Sequence, residues 1–297
     1  MVLFFPGQGS QFVGMGKELV KKYKLAQDIY TQANDILGFN IQNLSFEGPE
    51  DDLTNTKNAQ PAILTYQYIL INLLKEQNIV PTALAGHSLG EFSALLASEM
   101  LSFEDTLKLV QKRGQLMAEA DPHQKGGMAV VLGLDDNSVI NICKEVSNTY
   151  YVEPVNFNTP GQVVISGLKE GITLASEKLS NAGAKRVLAL AVSGAFHSKL
   201  MEEASTYFEE FLNQLNFNAP LYPIVSNVTA EFYDESTVKK LLALQMKSPV
   251  QWVSTVNYLV DKGFNTGIEM NTGTIIQGMV KKINKEFTFI DLMSLIS

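Results

Sequence analysis

The segment from Gly86 to Gly90, with the sequence Gly-His-Ser-Leu-Gly, constrains the fold more than any other stretch of the chain. It matches the G-x-S-x-G pattern of a nucleophile elbow, in which a strand turns sharply into a helix and exposes a serine. The apolar run 79–85 predicts the strand, and the apolar spacing in 91–97 predicts the helix. Because the pattern also occurs by chance in plain glycine-rich turns, these flanking elements decide the interpretation. The segment therefore predicts an α/β fold with Ser88 as the candidate nucleophile.

Composition places the chain among ordinary globular proteins. Its 297 residues, 45% of them hydrophobic and 18% charged, are enough for a large core and one or two domains. The single cysteine, Cys143, excludes an intrachain disulfide and supplies no metal cluster. The net charge of −8 argues against non-specific binding to nucleic acid, although it leaves room for a local basic patch. Because the chain contains no membrane-length apolar run and no signal-peptide pattern, we expect a cytoplasmic protein.

Apolar periodicity predicts alternating strands and helices in both end portions of the chain. In the first portion we expect a strand at 2–5, a turn at 53–56, and helices near 13–23, 25–36, 59–74 and 103–120. In the last portion we expect strands at 223–226 and 264–269, and helices at 199–215, 238–246, 253–261 and 274–283. One large domain is thus built from both ends of the chain.

The middle of the chain has its own rhythm. We expect strands at 128–132, 151–156, 162–166 and 184–190, helices at 137–147 and 170–182, and a tight turn at 158–161. The order βαββαβ is the ferredoxin-like arrangement, and its length suits a small inserted domain. We therefore predict a small domain at 126–197 and a large domain comprising 1–125 and 198–297.

The three histidines differ in their suitability as a general base for Ser88. His123 lies in a hydrophilic linker, and His87 is adjacent to the serine on a turn where neighbouring side chains point apart. His197 lies between the last strand of the small domain and the next helix, so it is the best candidate base. The alternative is a histidine that caps a helix or packs in the core.

Two further features carry polar groups that a ligand could use. The glycine-rich loop around Gln8 follows the first strand, and it is either a plain connection or a loop whose amides face a ligand. Arg113 shares a helix face with Met117, four residues later. A guanidinium beside apolar side chains needs a carboxylate partner, and local chemistry alone favours an internal salt bridge over a bound substrate carboxylate.

Taken together, several motifs in order resemble the malonyl-CoA:acyl carrier protein transacylases, the acyltransferases of fatty-acid and polyketide synthesis. Each motif alone is weak, but the ordered set covers nearly the whole chain. The matching segments are Pro6–Gln11, Gln60–Ala62, Gly86–Glu91, Lys112–Met117, Asn158–Gly167, Gly194–Ser198, Ser226–Thr229, and Gln245 with Pro249–Trp252. The resemblance implies an α/β-hydrolase-like large domain with a ferredoxin-like insertion.

The resemblance also implies roles for individual residues. Ser88 resembles the nucleophile that takes the acyl group as an ester, and His197 resembles its base. The family has no third, acidic catalytic residue. The resemblance implies instead that a backbone carbonyl near Gln245 orients the histidine. The other implied roles are oxyanion-hole amides at Gln8 and Leu89, a malonyl-carboxylate clamp at Arg113, and specificity or orientation at Gln60, Met117 and Phe196. The implied clamp reverses the local preference for a salt bridge.

The implied reaction is ping-pong malonyl transfer from malonyl-CoA to the phosphopantetheine thiol of an acyl carrier protein. CoA and the phosphopantetheine arm are parts of the substrates, so we expect no metal and no resident cofactor. We also expect a monomer that binds neither nucleic acid nor membrane. The first alternative is an acyl-thioester hydrolase acting on acyl carrier proteins. The second is a non-catalytic docking protein, against which the intact Ser88, His197 and Arg113 argue.

Two further features each have two interpretations. Asn271-Thr272 stands where the family usually has a Gly-Pro pair, and this change either alters only a turn or affects partner choice or turnover. Lys281, Lys282 and Lys285, which the pattern places on the last predicted helix, are candidates for docking an acidic carrier protein. A solvated helix face is the more ordinary interpretation of these lysines.

Overall fold

Two sheets organise the fold of the computed structural model, which describes residues 1–192 and 194–296. The larger sheet consists of the strands β1 (Val2–Phe5), β2 (Ala83–Gly86), β7 (Ile224–Val225), β8 (Thr266–Glu269) and β9 (Thr288–Phe289). All five are parallel, and their order in the sheet is β7-β2-β1-β8-β9. These strands come from both ends of the chain, as the sequence predicts.

Helices cover both faces of the parallel sheet. Alternate side chains of β1 point to opposite faces, so that Leu3 and Phe5 enter one hydrophobic cluster while Val2 and Phe4 enter another. The helices before the smaller sheet are α1 (Lys17–Lys22), α2 (Lys24–Leu37), α3 (Ile41–Glu47), α4 (Glu50–Thr54), α5 (Thr56–Glu76), α6 (Gly90–Ala97) and α7 (Phe103–Glu119). The Ser102 hydroxyl caps α7 by accepting a hydrogen bond from the Asp105 amide.

The smaller sheet is antiparallel and has the predicted βαββαβ chain order. Its elements are β3 (Gly126–Leu132), α8 (Asp136–Val146), β4 (Val152–Thr159), β5 (Gln162–Leu168), α9 (Lys169–Asn181) and β6 (Arg186–Ala189). The strand order β4-β5-β3-β6 is that of a ferredoxin-like sheet. A hydrogen bond from the Phe157 amide to the Val250 carbonyl, 3.0 Å long, joins β4 to the other part of the fold.

The chain after the smaller sheet returns to the larger one. A short 3₁₀ turn at Lys199–Met201 leads into α10 (Glu202–Asn213), followed by α11 (Val238–Gln245), α12 (Trp252–Asp261), α13 (Ile275–Ile283) and α14 (Leu292–Leu295). The domain boundaries at 125/126 and 197/198 stay a prediction. In the described part of the chain, no helix is long and apolar enough to cross a membrane.

The predicted secondary structure was wrong in a few places. The turn expected at 53–56 is the end of α4 and the start of α5, because Asn55 caps α5 with its side chain. The sequence reading also missed α3. The tight turn expected at 158–161 is confined to Pro160 and Gly161, since β4 continues through Thr159. Lys285 lies beyond the end of α13 at Ile283.

Candidate active site

The elbow is a sharp turn between β2 and α6, with Ser88 at its tip. Ser88 has φ = 51°, a left-handed conformation that costs a non-glycine residue roughly 1–3 kcal/mol. The flanking glycines make this turn possible by close approach of backbones. A Cβ on Gly86 would lie 1.9 Å from the Gly90 carbonyl carbon, and a Cβ on Gly90 would lie 1.9 Å from the Phe5 carbonyl oxygen.

Asn227 holds the backbone of the elbow from the next strand. Its side-chain oxygen accepts a hydrogen bond from the Ser88 amide at 2.7 Å, and its side-chain nitrogen donates to the Gly86 carbonyl at 2.6 Å. Asn227 is fully buried, just after β7. These two bonds brace both sides of the strained turn, so the serine position is fixed by the sheet and not by α6 alone.

Ser88 and His197 form a hydrogen-bonded pair. Ser88 Oγ lies 2.7 Å from His197 Nε2, and His197 Nδ1 lies 2.8 Å from the backbone carbonyl oxygen of Gln245. A carbonyl oxygen only accepts, so Nδ1 carries the proton and Nε2 is free to accept the serine proton. Burial, with the positive charge of Arg113 as a second cause, lowers the pKa of His197 to about 3. The imidazole is therefore neutral at physiological pH.

The other histidine of the elbow faces away from the serine. His87 Nε2 lies 2.8 Å from the side-chain oxygen of Asn158, and its ring packs edge-on against Trp252. Burial lowers the pKa of His87. The expectation that adjacent side chains on the turn point apart is thus met, and His87 does not compete with His197 for the Ser88 hydroxyl.

Arg113 reaches the serine from α7. Its Nη2 donates to Ser88 Oγ at 3.1 Å and to the Gln245 side-chain oxygen at 2.7 Å, while Nη1 donates to the Gln60 side-chain oxygen at 2.9 Å. The side chain is 1% exposed, and burial lowers its pKa to about 9, with Glu91 acting in the opposite direction. Arg113 therefore stays charged at neutral pH. The internal salt bridge that local chemistry favoured is absent among the described residues.

A small cavity of about 120 Å³ is lined by all the predicted site residues except Gln60 and Gln245. Met117 and Phe196, both buried, form part of its wall, and the Gln60 side-chain nitrogen lies 3.4 Å from the Met117 sulfur. The cavity lining consists of Gln8, His87, Ser88, Leu89, Arg113, Met117, Met128, Asn156, Leu190, Val192, Phe196 and His197. A cavity of this size fits a short acyl group.

Two backbone amides beside Ser88 have no hydrogen-bond partner among the described residues. They belong to Leu89, at the start of α6, and to Gln8, in the loop after β1. This loop packs directly on the elbow, since a Cβ on Gly7 would lie 2.4 Å from the His87 carbonyl oxygen and 3.4 Å from the Leu89 nitrogen. The Gln67 side chain anchors the loop by donating to the Pro6 carbonyl at 2.9 Å. Free amides at this position can bind an oxyanion.

Comparison with known proteins identifies the family of the chain. Residues 2–291 match the family model described as "Acyl transferase domain". The chain is 43% identical over 295 residues to the malonyl CoA-acyl carrier protein transacylase of Staphylococcus aureus (strain MRSA252), covering 99% of this chain and 95% of the relative. It is 42% identical over 287 residues to the enzyme of the same name from Bacillus subtilis (strain 168), covering 96% and 90%. The chain belongs to the malonyl-CoA:acyl carrier protein transacylase family.

Solved structures of this family share the fold over nearly their whole length. An acyl carrier protein S-malonyltransferase from Vibrio cholerae aligns with a TM-score of 0.93 at 38% identity, covering 98% of this chain and 95% of that one. A malonyl-transacylase in complex with a type II PKS acyl-carrier protein aligns with a TM-score of 0.96 at 36% identity, covering 99% and 98%. The transacylase fold, an α/β-hydrolase-like large part with a ferredoxin-like sheet, is therefore confirmed.

The sequence reading assigned no role to Glu91 and Asn227, although both occur in the motifs of the transacylase family. Glu91 is fully buried in α6, and it is the one charged residue in a helix whose eight residues are all buried. Burying a carboxylate in such a helix costs folding free energy unless the group is paired. A lone acidic residue in an apolar helix was therefore the sequence signal for a buried, hydrogen-bonded Glu91. No sequence pattern shows that Asn227 reaches the elbow, because the two lie 139 residues apart.

The departure from the usual transacylase pattern lies beside the Gln8 loop. Asn271 is buried, and its side-chain nitrogen donates to the Ser10 carbonyl at 3.3 Å. Asn271 thus links the loop after β8 to the loop after β1.

The three lysines proposed for docking, Lys281, Lys282 and Lys285, are all exposed and form no ion pair with any residue in 1–192 or 194–296. No group of His, Cys, Asp and Glu side chains suited to a metal ion occurs in those ranges.

Proposed function

We propose that this protein transfers a malonyl group from malonyl-CoA, through an ester on Ser88, to the phosphopantetheine thiol of an acyl carrier protein. The observation that carries the proposal is the position of Ser88 Oγ, which lies 2.7 Å from a neutral histidine nitrogen and 3.1 Å from a charged guanidinium nitrogen. The first group can accept the serine proton, and the second can bind a carboxylate on the acyl group.

In the first half-reaction, His197 Nε2 takes the hydroxyl proton of Ser88 as Ser88 Oγ attacks the thioester carbonyl of malonyl-CoA. The negative charge that develops on the carbonyl oxygen is stabilised by the backbone N–H groups of Gln8 and Leu89. The tetrahedral intermediate then collapses, the C–S bond breaks, and CoA leaves with the proton held by His197. The Gln245 carbonyl keeps the imidazole oriented throughout, because it accepts a hydrogen bond from the Nδ1–H group.

In the second half-reaction, His197 takes the proton of the carrier protein's thiol, and the sulfur attacks the Ser88 ester. The same two amides stabilise the second oxyanion. Collapse of this intermediate breaks the ester bond and returns the proton from His197 to Ser88. Atoms balance without a metal or a resident cofactor, because CoA and phosphopantetheine enter and leave as parts of the substrates.

The position of Arg113 favours malonyl over longer dicarboxylic acyl groups. A malonyl ester places its carboxylate one methylene from the ester carbonyl, and Arg113 Nη2 is already in contact with the ester-forming oxygen. A longer diacid would carry its carboxylate farther from Ser88 than the guanidinium lies. Phe196 and Met117 close the cavity on the apolar side, and their bulk favours an acyl group without an α-branch.

The partner we infer is a phosphopantetheinylated acyl carrier protein in fatty-acid or polyketide synthesis. The names of the relatives and the solved complex with a type II PKS acyl-carrier protein support this partner. We further propose a monomer, since one chain supplies every group of the reaction, and a cytoplasmic location, as the composition predicts.

Intact-protein mass spectrometry tests the proposal. The protein is incubated with malonyl-CoA, and a phosphopantetheinylated carrier protein is then added. We expect the mass of the protein to rise by one malonyl group, which then moves to the carrier protein. The Ser88→Ala variant is the control, and malonyl labelling of that variant would contradict the assignment. If the adduct instead ends as free malonate in the presence of the carrier, the protein is an acyl-thioester hydrolase.

A further inference from the structure

The side chain and carbonyl of Gln245 connect four parts of the site. Its backbone carbonyl accepts a hydrogen bond from His197 Nδ1, and its side-chain oxygen accepts one from Arg113 Nη2 at 2.7 Å. Its side-chain nitrogen donates to the Ser88 carbonyl at 2.9 Å and to the Glu91 carboxylate at 2.5 Å. The amide of Gln245 therefore has to be held with its oxygen toward Arg113 and its nitrogen toward Glu91.

Glu91 is bound on all sides by donors. One carboxylate oxygen accepts hydrogen bonds from the Asn227 backbone amide at 3.0 Å and from the Tyr233 hydroxyl. The other accepts one from the side-chain nitrogen of Gln245. A carboxylate only accepts hydrogen bonds, so the Gln245 group that faces it must be the NH₂. A flipped Gln245 would place its oxygen against Glu91 and its NH₂ against the guanidinium of Arg113. Both contacts would be repulsive.

We propose that Glu91 is a positioning residue for acyl-group selection, acting through the Gln245 amide to orient Arg113 toward the malonyl carboxylate. This inference rests on the proposed function. Glu91 does not touch the reacting atoms, and it acts by fixing which end of the Gln245 amide the guanidinium meets.

A pure charge effect of Glu91 would have the opposite sign. A negative group near the site repels the malonyl carboxylate, so removing that charge alone would strengthen malonyl binding and lower KM. Loss of orientation would instead weaken the clamp and raise KM. A lower KM would therefore indicate direct repulsion by Glu91. Because Glu91 also raises the Arg113 pKa, a higher KM is assigned to orientation only if Glu91→Gln has no further effect in the Gln245→Leu background, where a charge effect on Arg113 would persist.

The test compares kcat and KM for malonyl-CoA and acetyl-CoA in wild type and in Glu91→Gln at pH 8. This pH lies above the Glu91 pKa, which burial raises to about 7 while its hydrogen bonds and Arg113 oppose the rise. In this variant the side-chain oxygen of the new glutamine still accepts from the Asn227 backbone amide and the Tyr233 hydroxyl. Its NH₂ group then faces the NH₂ group of Gln245, so the hydrogen bond between residues 91 and 245 is lost. We expect KM for malonyl-CoA to rise about tenfold, as for the loss of one charge-assisted hydrogen bond, with little change for acetyl-CoA.

Two further variants keep the test decisive. Tyr233→Phe removes a donor from the Glu91 oxygen that does not face Gln245, and we expect the malonyl-to-acetyl preference to stay within about threefold of wild type. Gln245→Leu retains the backbone carbonyl for His197 and deletes the amide, so it should lose malonyl preference even if Glu91→Gln does not fold. Adding Glu91→Gln to Gln245→Leu should change the preference no further, because both act through one contact.

The outcomes separate this inference from the proposed function. A wild type that takes no malonyl group overturns both. A wild type that prefers malonyl, with Glu91→Gln or Gln245→Leu retaining that preference, overturns only the role of Glu91. A lower KM for malonyl-CoA in Glu91→Gln, or an equal loss of preference in Tyr233→Phe, also overturns it.

Discussion

Replacing Arg113 by methionine tests how the acyl group is selected. Methionine retains much of the side-chain length and removes the charge and all the donors. In the protein, Arg113 contacts Gln60, Gln245 and Ser88 and is 1% exposed. A carboxylate bound there would be almost completely withdrawn from water, so its hydrogen bonds to Arg113 would lie at the strong end of the usual range.

The expected loss follows from the bonds that malonyl makes and acetyl does not. Two hydrogen bonds to a charged group contribute about 1.5–3 kcal/mol each, which gives about 3–6 kcal/mol in total. That corresponds to a decrease of roughly 10²–10⁴-fold in kcat/KM for malonyl-CoA. Acetyl-CoA has no carboxylate, and its kcat/KM should change by less than about tenfold, the equivalent of one ordinary hydrogen bond.

The assay measures CoA release from malonyl-CoA and acetyl-CoA in the presence of carrier protein. Lys112→Met is the matched control, because it removes a positive charge from the same helix at a residue that does not line the cavity. Thermal unfolding should accompany the kinetics, since Arg113→Met leaves the Gln60 and Gln245 oxygens without a donor. If the malonyl-to-acetyl ratio of Arg113→Met stays within threefold of wild type, Arg113 is not the carboxylate clamp.

Three other expectations concern the elbow, the base and the cavity wall. Gly90→Ala should lower the melting temperature sharply and abolish acyl loading, because its Cβ would lie 1.9 Å from the Phe5 carbonyl oxygen, whereas Gly278→Ala, with open space around it, should leave both nearly unchanged. At saturating malonyl-CoA, single-turnover acylation should fall less than about twofold between pH 7 and 5.5, because a histidine pKa near 3 leaves His197 neutral over that range; a tenfold fall with a midpoint near 6.5 would refute this. Phe196→Ala should raise kcat/KM for methylmalonyl-CoA relative to malonyl-CoA by about tenfold or more, because the smaller side chain leaves room for the extra methyl group. An unchanged ratio would show that Phe196 does not select the acyl group.

The elements that the sequence predicts best are those with strong local signals. The strand at 2–5, the capped helix from Phe103 and the βαββαβ order of the middle segment all appear in the structure. Helix α4 was missed because its apolar content is a single buried residue, Leu53, so it has no apolar periodicity. Its first turn instead carries three acidic residues, which favour a helix N-terminus electrostatically.

The candidate site also contains residues with a local sequence signal and residues without one. Ser88 and the glycines around it are recognisable from spacing, since the chemistry of the elbow is local. His197 is the best candidate base from its place in the sequence, whereas the preference for Arg113 as a carboxylate clamp and the role of the Gln245 carbonyl came only from the family resemblance. Their separations from the serine along the chain are 109, 25 and 157 residues. Pairing across such distances depends on sheet order and helix packing, which local patterns do not encode.

The sequence by itself determined that this chain has a serine at the tip of a tight turn, because only glycine permits backbones to approach as closely as they do at Gly86 and Gly90. It also determined the two-part α/β architecture through its apolar periodicity. Only the tertiary structure decided which groups meet the serine and in what protonation state. The low pKa of His197, the retained charge of Arg113 and the orientation of the Gln245 amide all arise from burial and from donors and acceptors brought together by folding.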